Sequence, residues 1–239
     1  MKHRIATDSL GREFRLLRNR IEAEIHAPAV LLVTSATDRD GAGLTAYGLA
    51  ESLSKTHQRT ALLTTSATAL PAGEWSSPAM PSQRRRATDR LEAGNTTVEG
   101  GLSIVSISHE RLATISRSSI AALVQGLRAE HDYVVIDGGG LPDNTFGLLL
   151  LASADAILVA FLAGRQQVTA DRTMLDTIEK SEAKVLGVVM NDQETIDHFN
   201  DRVQKLDPGV ARNVTVSKAP ATPLVQRLEV ALQRLGKSF

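Results

Sequence analysis

The chain has 239 residues, a formal net charge of zero at pH 7, and a hydrophobic content of 42%, which allows a sizeable core in one α/β domain or two small ones. Zero net charge provides no field that attracts nucleic acid or lipid, and an aromatic content of 3% argues against stacking platforms for single-stranded nucleic acid. The absence of cysteine excludes disulfides and thiolate metal sites and suits a reducing cytoplasm.

The first predicted element is an amphipathic helix over residues 8–26, with Asp8 as a suitable N-cap. Its apolar side chains recur at helical spacing as Phe14, Leu17, Ile21 and Ile25. Arginines flank this narrow stripe at Arg12, Arg15, Arg18 and Arg20. The sequence leaves open whether the helix packs on its own protein or on another chain.

Apolar segments then alternate with helical patterns along most of the chain. Strands are predicted at 30–35, 60–64, 102–106, 133–137, 156–161, 184–190 and 214–216. Helices are predicted at about 45–55, 118–130, 169–181 and 223–235, with a further apolar helix after a glycine-rich turn at 138–143. This alternation is typical of a doubly wound, mainly parallel sheet with helices on both faces. We predict one α/β domain spanning residues 1–239.

Two segments depart from the alternation. Residues 66–101 are dense in Pro, Gly, Ser and Arg, which predicts a long loop. Its triplet Arg84-Arg85-Arg86 fits either a solvated loop or a contact with an acidic partner or lipid. The apolar run over residues 145–164 is almost long enough to span a membrane, but Asp155 interrupts it, which favours a helix followed by a strand.

The segment from Val33 to Ala50, VTSATDRDGAGLTAYGLA, has the pattern of a strand, a turn rich in Asp and Gly, and a helix. In that order, backbone N–H groups and a helix N-terminus cradle phosphate. The turn has neither the Lys that neutralises phosphates nor the Ser or Thr that binds magnesium at the usual place. We interpret it as a phosphate-binding turn without its charged parts, with Gly41 and Gly43 as turn residues.

Polar residues end two of the later predicted strands. Asp137 ends the strand YVVID, at the edge of the sheet where α/β folds bind ligands, so it is the strongest candidate site residue. Asp143 suits a helix N-cap as well as a ligand. Asn191 follows another strand, where a turn residue is the more common reading.

Five segments in order resemble the cytoplasmic domains of bacterial tyrosine kinases, which serve capsular and exopolysaccharide synthesis and belong to the deviant P-loop ATPases. They are RLLR at 15–18, VTSA in the first strand, YVVID, ADAILVAFLAG and KVLGVVMND. The resemblance implies a P-loop NTPase-like fold, ATP and magnesium as cofactors, and a membrane polysaccharide co-polymerase as partner. It also implies a subunit contact through Arg15 and Arg18.

The phosphate loop departs from the family, whose first loop reads approximately VTSAxPGEGKSTxxANLA. Aligned without a gap, Ala42 falls on the Lys and Gly43 on the magnesium-binding Ser or Thr. Aligned with a gap, Leu44 falls on the Lys, and Thr45 remains as a hydroxyl ligand for magnesium. Either alignment loses the Lys.

The other motifs of the family are only partly present. The acidic LLIDAD motif is replaced by Leu62-Leu63-Thr64-Thr65-Ser66, whose hydroxyls cannot take the proton from a tyrosine near neutral pH. Asp137 matches the Walker B Asp, Asp143 matches an Asp a few residues on, and Asn191 stands where the family contacts adenine. The family's tail of clustered tyrosines is missing from the end of this chain.

The sequence thus predicts a degenerate relative of these kinases, with no assigned catalytic residue, Asp137 as a residual Walker B residue, and no cofactor expected. Any weak ATP–magnesium binding would use Gly41, Gly43, Thr45, Asp137 and Asn191, with Thr45 and Asp137 on the metal. The expected role is regulatory or structural in exopolysaccharide synthesis or export, in the cytoplasm at the inner membrane, beside the co-polymerase or in a homo-oligomer. Two alternatives remain open: an active ATP-dependent tyrosine kinase of the same pathway, and a partitioning or positioning P-loop ATPase.

Overall fold

Seven strands and six helices lie in the part of the chain that the computed structural model describes, namely residues 7–56, 59–65, 96–99, 101–107, 115–141, 145–165, 168–181 and 183–206. The strands are β1 (Ala29–Ser35), β2 (Thr60–Thr64), β3 (Thr96–Glu99), β4 (Leu102–Ser106), β5 (Tyr133–Gly140), β6 (Ala156–Leu162) and β7 (Val185–Asn191). The helices are α1 (Thr7–Glu24), α2 (Ala42–Ser54), α3 (Arg117–Glu130), α4 (Thr145–Leu151), α5 (Val168–Lys180) and α6 (Gln193–Leu206).

The strands form one sheet in the order β3-β4-β2-β5-β1-β6-β7. Every neighbouring pair is parallel except β3 with β4, which are antiparallel at one edge. In the middle of the sheet β1 lies between β5 and β6, with Leu32 opposite both Ile136 and Ile157. The carboxyl ends of these three strands therefore meet at one edge, and the turn after β1 lies there.

Two apolar cores, one on each face of the sheet, account for the continuous apolar strands. On one face, helices α3, α4 and α5 contribute Leu123, Phe146 and Met174. On the other face, α1 and α2 contribute Ile21 and Leu49. Because successive strand residues point to opposite faces, a sheet covered on both sides needs apolar residues at nearly every position. The predicted doubly wound, mainly parallel α/β fold is confirmed.

Helix α1 packs on helix α2 of the same chain. The ring of Phe14 is buried and lies so close to Gly48 that a Cβ atom there would be 2.2 Å from Phe14 Cε2. Arg18 also faces inward, since its Nη1 donates to the carbonyl oxygen of Ser52 at 3.1 Å. Arg15 is exposed. Of the two packing arrangements left open by the sequence, the structure therefore has the helix on its own protein body.

The triglycine segment after Asp137 differs from the prediction. We predicted a turn from Gly138, but β5 continues to Gly140. The pairing register of β5 with β1 shifts between Val33 and Ser35, which lie opposite Asp137 and Gly140. This bulge accommodates one additional residue on β5, so the strand continues through the glycines.

Three further features of the fold differ from the prediction: the start of α2 and the presence of β3 and α6. Helix α2 begins directly after Gly41 and not near residue 45. Strand β3 lies within residues 66–101, which were predicted as a long loop, because residues 96–99 pair with β4 around Gly101, which has a φ of 94°. Helix α6 was not predicted, and it packs on α2 through Phe199 and Tyr47, whose ring centroids are 6.0 Å apart.

Other predictions lie outside the described residues: the arginine triplet at 84–86, Asp143, the strand at 214–216 and the helix at 223–235. The apolar run over 145–164 divides into α4 and β6, as Asp155 suggested. Among the described residues, no helix has the length and apolar content needed to cross a membrane. That the whole chain is one domain stays a prediction.

Candidate functional site

The turn between β1 and α2, residues 36–41, lies directly over the carboxyl end of β5. The N–H of Gly140 donates to Asp38 Oδ1 at 2.8 Å. A Cβ atom at Gly140 would lie 2.9 Å from the backbone of Thr37 and Asp38, so only glycine permits this approach. Gly41 ends the turn with a φ of 82°, a left-handed conformation that glycine adopts without strain.

Asp137 lies beneath this turn at the bulge of β5. Its Oδ1 accepts the N–H of Gly139 at 3.1 Å, and its Oδ2 accepts the hydroxyl of Thr64 at 3.2 Å. Burial is the main cause that raises the pKa of Asp137, and the nearby charge of Asp38 adds to it, against the lowering effect of the two hydrogen bonds. Thr64, in the segment that replaces the acidic motif, thus serves as a hydrogen-bond donor to Asp137.

The residue of α2 that faces Asp137 is Gly43. A Cβ atom at Gly43 would lie 3.2 Å from Asp137 Oδ2, so a Ser or Thr side chain there would meet the carboxylate. This is the place of the magnesium-binding hydroxyl in the ungapped alignment, and the geometry supports that alignment. In the ungapped alignment, Ala42 occupies the position of the phosphate-binding Lys, and its side chain is buried.

Thr45 and Asn191 lie together on the other side of the turn, and both are buried. Asn191 Nδ2 donates to the carbonyl oxygen of Asp40 at 2.8 Å and lies 3.3 Å from Thr45 Oγ1. The amide of Asn191 therefore ties the end of β7 to the turn. The predicted roles of Asn191 at adenine and of Thr45 at magnesium stay predictions, and these contacts give each side chain a structural role.

Arg165, in the turn after β6, contacts the β1–α2 turn and was not predicted from the sequence. Its guanidinium donates to Thr37 Oγ1 at 3.1 Å, to Asp171 Oδ1 at 3.2 Å and to Asp40 Oδ2. Asp40 Oδ2 also accepts the N–H of Thr37 at 2.9 Å. Asp40 has no exposed surface, so the turn encloses an ion pair between its own carboxylate and a distant arginine.

The charge around the turn is mostly negative. Burial is the largest cause that raises the pKa of Asp40 and of Asp171, and the Arg165 guanidinium only partly opposes it in each. Two further carboxylates, Asp38 and Asp137, lie on the β5 side of the turn. A polyphosphate approaching this turn would meet several negative groups, with the Arg165 guanidinium already bound to two of them.

These residues do not fit a magnesium-bound nucleoside triphosphate. An alanine and a glycine take the places of the Lys and of the magnesium-binding hydroxyl. The N–H of Thr37 in the turn already donates to the carboxylate of Asp40 and is not available to a phosphate oxygen. In the described ranges, no three His, Asp or Glu side chains are grouped so that they would hold a metal ion.

We expect Asp137→Asn to raise the thermal midpoint at pH 8 and to leave it unchanged near pH 3. A carboxyl group whose pKa is raised on folding binds more protons in the folded state, so stability falls as pH rises above its ordinary value of 3.8. The amide removes that ionisation and keeps an acceptor for Gly139. Thermal unfolding followed by circular dichroism at both pH values measures this, and an equal shift at both would contradict a protonation effect.

No protein-family model and no curated protein sequence matches the chain. Among solved structures, the kinase domain of the Escherichia coli tyrosine kinase ETK has a TM-score of 0.60 at 12% identity and covers 89% of this chain and 80% of its own. The chimerical protein CapA2B2 has a TM-score of 0.59 at 18% identity, with coverage of 80% and 88%. The VpsO kinase domain has a TM-score of 0.56 at 18% identity, with coverage of 77% and 93%. The chain thus has the fold of bacterial tyrosine kinase domains.

Proposed function

We propose that the protein is a degenerate relative of the bacterial tyrosine kinases, which has kept their fold and lost phosphoryl transfer. Its role is regulatory or structural, in the synthesis or export of an exopolysaccharide. The observation that carries this proposal is that Gly43, which has no hydroxyl, faces Asp137 from α2, while the buried Ala42 takes the place of the Lys.

The alternative is an active tyrosine kinase, and the likeness to the ETK and VpsO kinase domains favours it. Phosphoryl transfer depends on positive charge around the transferred group. In this chain Arg39 is exposed on the turn and would have to supply that charge in place of the Lys. The loss of the magnesium-binding hydroxyl at Gly43 would remain without compensation, and for this reason we favour the degenerate reading.

We expect no magnesium-dependent ATP hydrolysis and no tyrosine phosphorylation by the purified protein. The loss of one electrostatic donor commonly costs about 2.7–4 kcal/mol of transition-state stabilisation, and here the Lys, the hydroxyl and an acidic motif are missing together. The measurement is phosphate release and phosphotyrosine detection, with the ETK kinase domain as positive control. Turnover that disappears in Asp137→Ala would establish the active-kinase alternative.

We further propose that the protein associates with a membrane polysaccharide co-polymerase at the cytoplasmic side of the inner membrane, or with copies of itself. This rests on the family resemblance of the N-terminal helix. Within that helix Arg15 is exposed, whereas Arg18 has only 14% of its side chain exposed and bonds its own chain. Of these two arginines, Arg15 is therefore the one whose side chain is available to a partner.

We expect Arg15→Ala to break this association with little change in stability. A substitution of an exposed charge usually changes the free energy of unfolding by no more than about 0.5 kcal/mol. Light scattering reports the oligomer size, and co-purification with the co-polymerase reports the other contact. Arg18→Ala is the matched comparison. It removes the same charge from the same helix, but it also removes the hydrogen bond from Arg18 to the carbonyl oxygen of Ser52. An Arg15→Ala protein with unchanged size and unchanged co-purification would contradict the proposed surface.

A further inference from the structure

We propose that the outer edge of β7 is an association surface, on which β7 of a second copy of this chain pairs as an antiparallel strand. β7 is the last strand on its side of the sheet: it pairs with β6, and within the described part of the chain no strand lies on its other side. The inference goes beyond the proposed function, because it involves neither the β1–α2 turn nor Arg15.

Strand β7 has the composition of an internal strand. Its seven residues, VLGVVMN, include no charged residue and no proline. Edge strands that face solvent are usually short or carry charges or proline, because an open apolar edge pairs with other chains. The strand at the opposite edge, β3, has only four residues and contains Glu99. β7 therefore has an edge suited to pairing with a further strand.

The side chains of β7 are less covered than those of its neighbour. Six of the seven residues of β6 are buried, whereas in β7 only Asn191 is buried. Met190 is 49% exposed, and a Cβ atom added at Gly187 would meet no other atom within 4 Å. A nearly continuous apolar run is typical of a strand inside a sheet that is covered on both faces. A further strand beside β7 would cover this surface.

The connection that follows β7 leads away from this edge. The steps from β5 through α4 to β6 and from β6 through α5 to β7 move toward the edge, and both helices lie on the face of α3. The step from β1 through α2 to β2 moves in the other direction, with α2 on the opposite face. Helix α6 packs on α2 through Phe199 and Tyr47. Because crossovers between parallel strands are right-handed in about 98% of cases, a parallel strand after α6 would not lie beyond β7, and the edge is open to a second chain.

A second copy fits this edge because β7 is complementary to itself. From Gly187 to Asn191 its register with β6 is unbroken, so this part of the strand offers a regular edge. A two-fold axis through Val189 would place Val188 of one copy opposite Met190 of the other, on the same face of the sheet. The pairing would cover Met190 and continue one sheet through both copies.

The charges at the two ends of β7 favour the antiparallel direction. Lys184 precedes the strand, Asp192 and Glu194 follow it, and all three residues are exposed. Hydrogen bonds from Thr195 hold the pKa of Asp192 below its ordinary value, so its carboxylate is charged at neutral pH. Antiparallel pairing brings Lys184 of each copy to the acidic end of the other, whereas parallel pairing would place like charges side by side.

Sedimentation velocity of the full chain over a range of concentrations tests this. We expect a dimer that dissociates on dilution. Met190→Lys should weaken it about 10-fold or more, because a charge would enter the apolar edge of each copy. Val168→Lys is the matched control, since Val168 is also 49% exposed but begins α5 and lies outside β7. Neither Val168→Lys nor Arg15→Ala should change the dimer.

The direction of pairing is tested at Lys184. Lys184→Glu would place a carboxylate beside the acidic end of the other copy and should weaken the dimer about 10-fold, through two altered charge pairs. Lys184→Arg keeps the charge and should leave the dimer unchanged. Because this position is exposed, the comparison also serves if Met190→Lys does not fold.

Three results would overturn the inference. One is a monomer at every concentration, and β7 amides that are protected from hydrogen exchange in such a monomer would show that the chain covers its own edge. The second is a dimer that withstands both Met190→Lys and Lys184→Glu. The third is an equal loss in Val168→Lys, which would show that any added surface charge has this effect. None of these results concerns phosphoryl transfer, which the assays of ATP hydrolysis and tyrosine phosphorylation test separately.

Discussion

Arg165→Ala should lower the free energy of unfolding by about 3–5 kcal/mol, the usual cost of removing one partner from a buried ion pair. The side chain of Arg165 is 13% exposed, that of Asp40 is fully buried and that of Asp171 is 10% exposed. Without the arginine, the two buried carboxylates lose the only cation that they pair with among the described residues. Chemical denaturation at neutral pH measures the loss.

The exposed ion pair of Arg59 with Asp132 provides the control. Its atoms are also close, at 3.0 Å, but the side chains are 53% and 31% exposed, so Arg59→Ala should cost only about 0–1 kcal/mol. The Arg165→Ala loss should also shrink as pH falls, because burial raises the pKa of Asp40 and of Asp171 and protonated carboxyls need no counter-charge. A loss from Arg165→Ala no larger than that from Arg59→Ala would show that the network contributes little to folding.

Phe14→Ala should cost about 3–5 kcal/mol, the range for removing a buried aromatic ring. The ring is 8% exposed and fills the space beside Gly48, where α1 crosses α2. Its loss should also loosen α1, which carries the proposed partner surface at Arg15. Denaturant unfolding measures the cost, and hydrogen exchange of the α1 amides measures the loosening.

A double-mutant cycle shows whether this contact is specific. Gly48→Ala alone places a Cβ atom 2.2 Å from the Phe14 ring, so the ring must move, at a typical cost of about 1–3 kcal/mol for overpacking. In the double variant Phe14→Ala with Gly48→Ala, the new Cβ enters space that the ring has left. The double variant should therefore lose less than the sum of the single variants. Additive losses would contradict direct packing of these two residues.

Much of the fold follows from local patterns in the sequence. The strand Ala156–Leu162 is apolar throughout and Ala29–Ser35 is apolar over residues 29–33, which a strand needs when both of its faces are covered. The site was visible for a similar reason, because the turn after β1 and Asp137 near the carboxyl end of β5 lie at the ends of parallel strands. Helix α6 was missed because its buried contacts, at Ile196 and through Phe199, are few against a polar background.

The chemical losses at the turn can also be read from the sequence by itself. In the ungapped alignment, Ala42 carries no positive charge and Gly43 no hydroxyl in any conformation, so the sequence alone predicts that the usual phosphate and magnesium ligands are missing. Only the tertiary structure decided what the turn contains in their place. Asp40 and Arg165 are 125 positions apart, and each alone is typical of an exposed loop charge. Their pairing depends on β1 and β6 lying side by side, which brings two distant turns to one edge of the sheet.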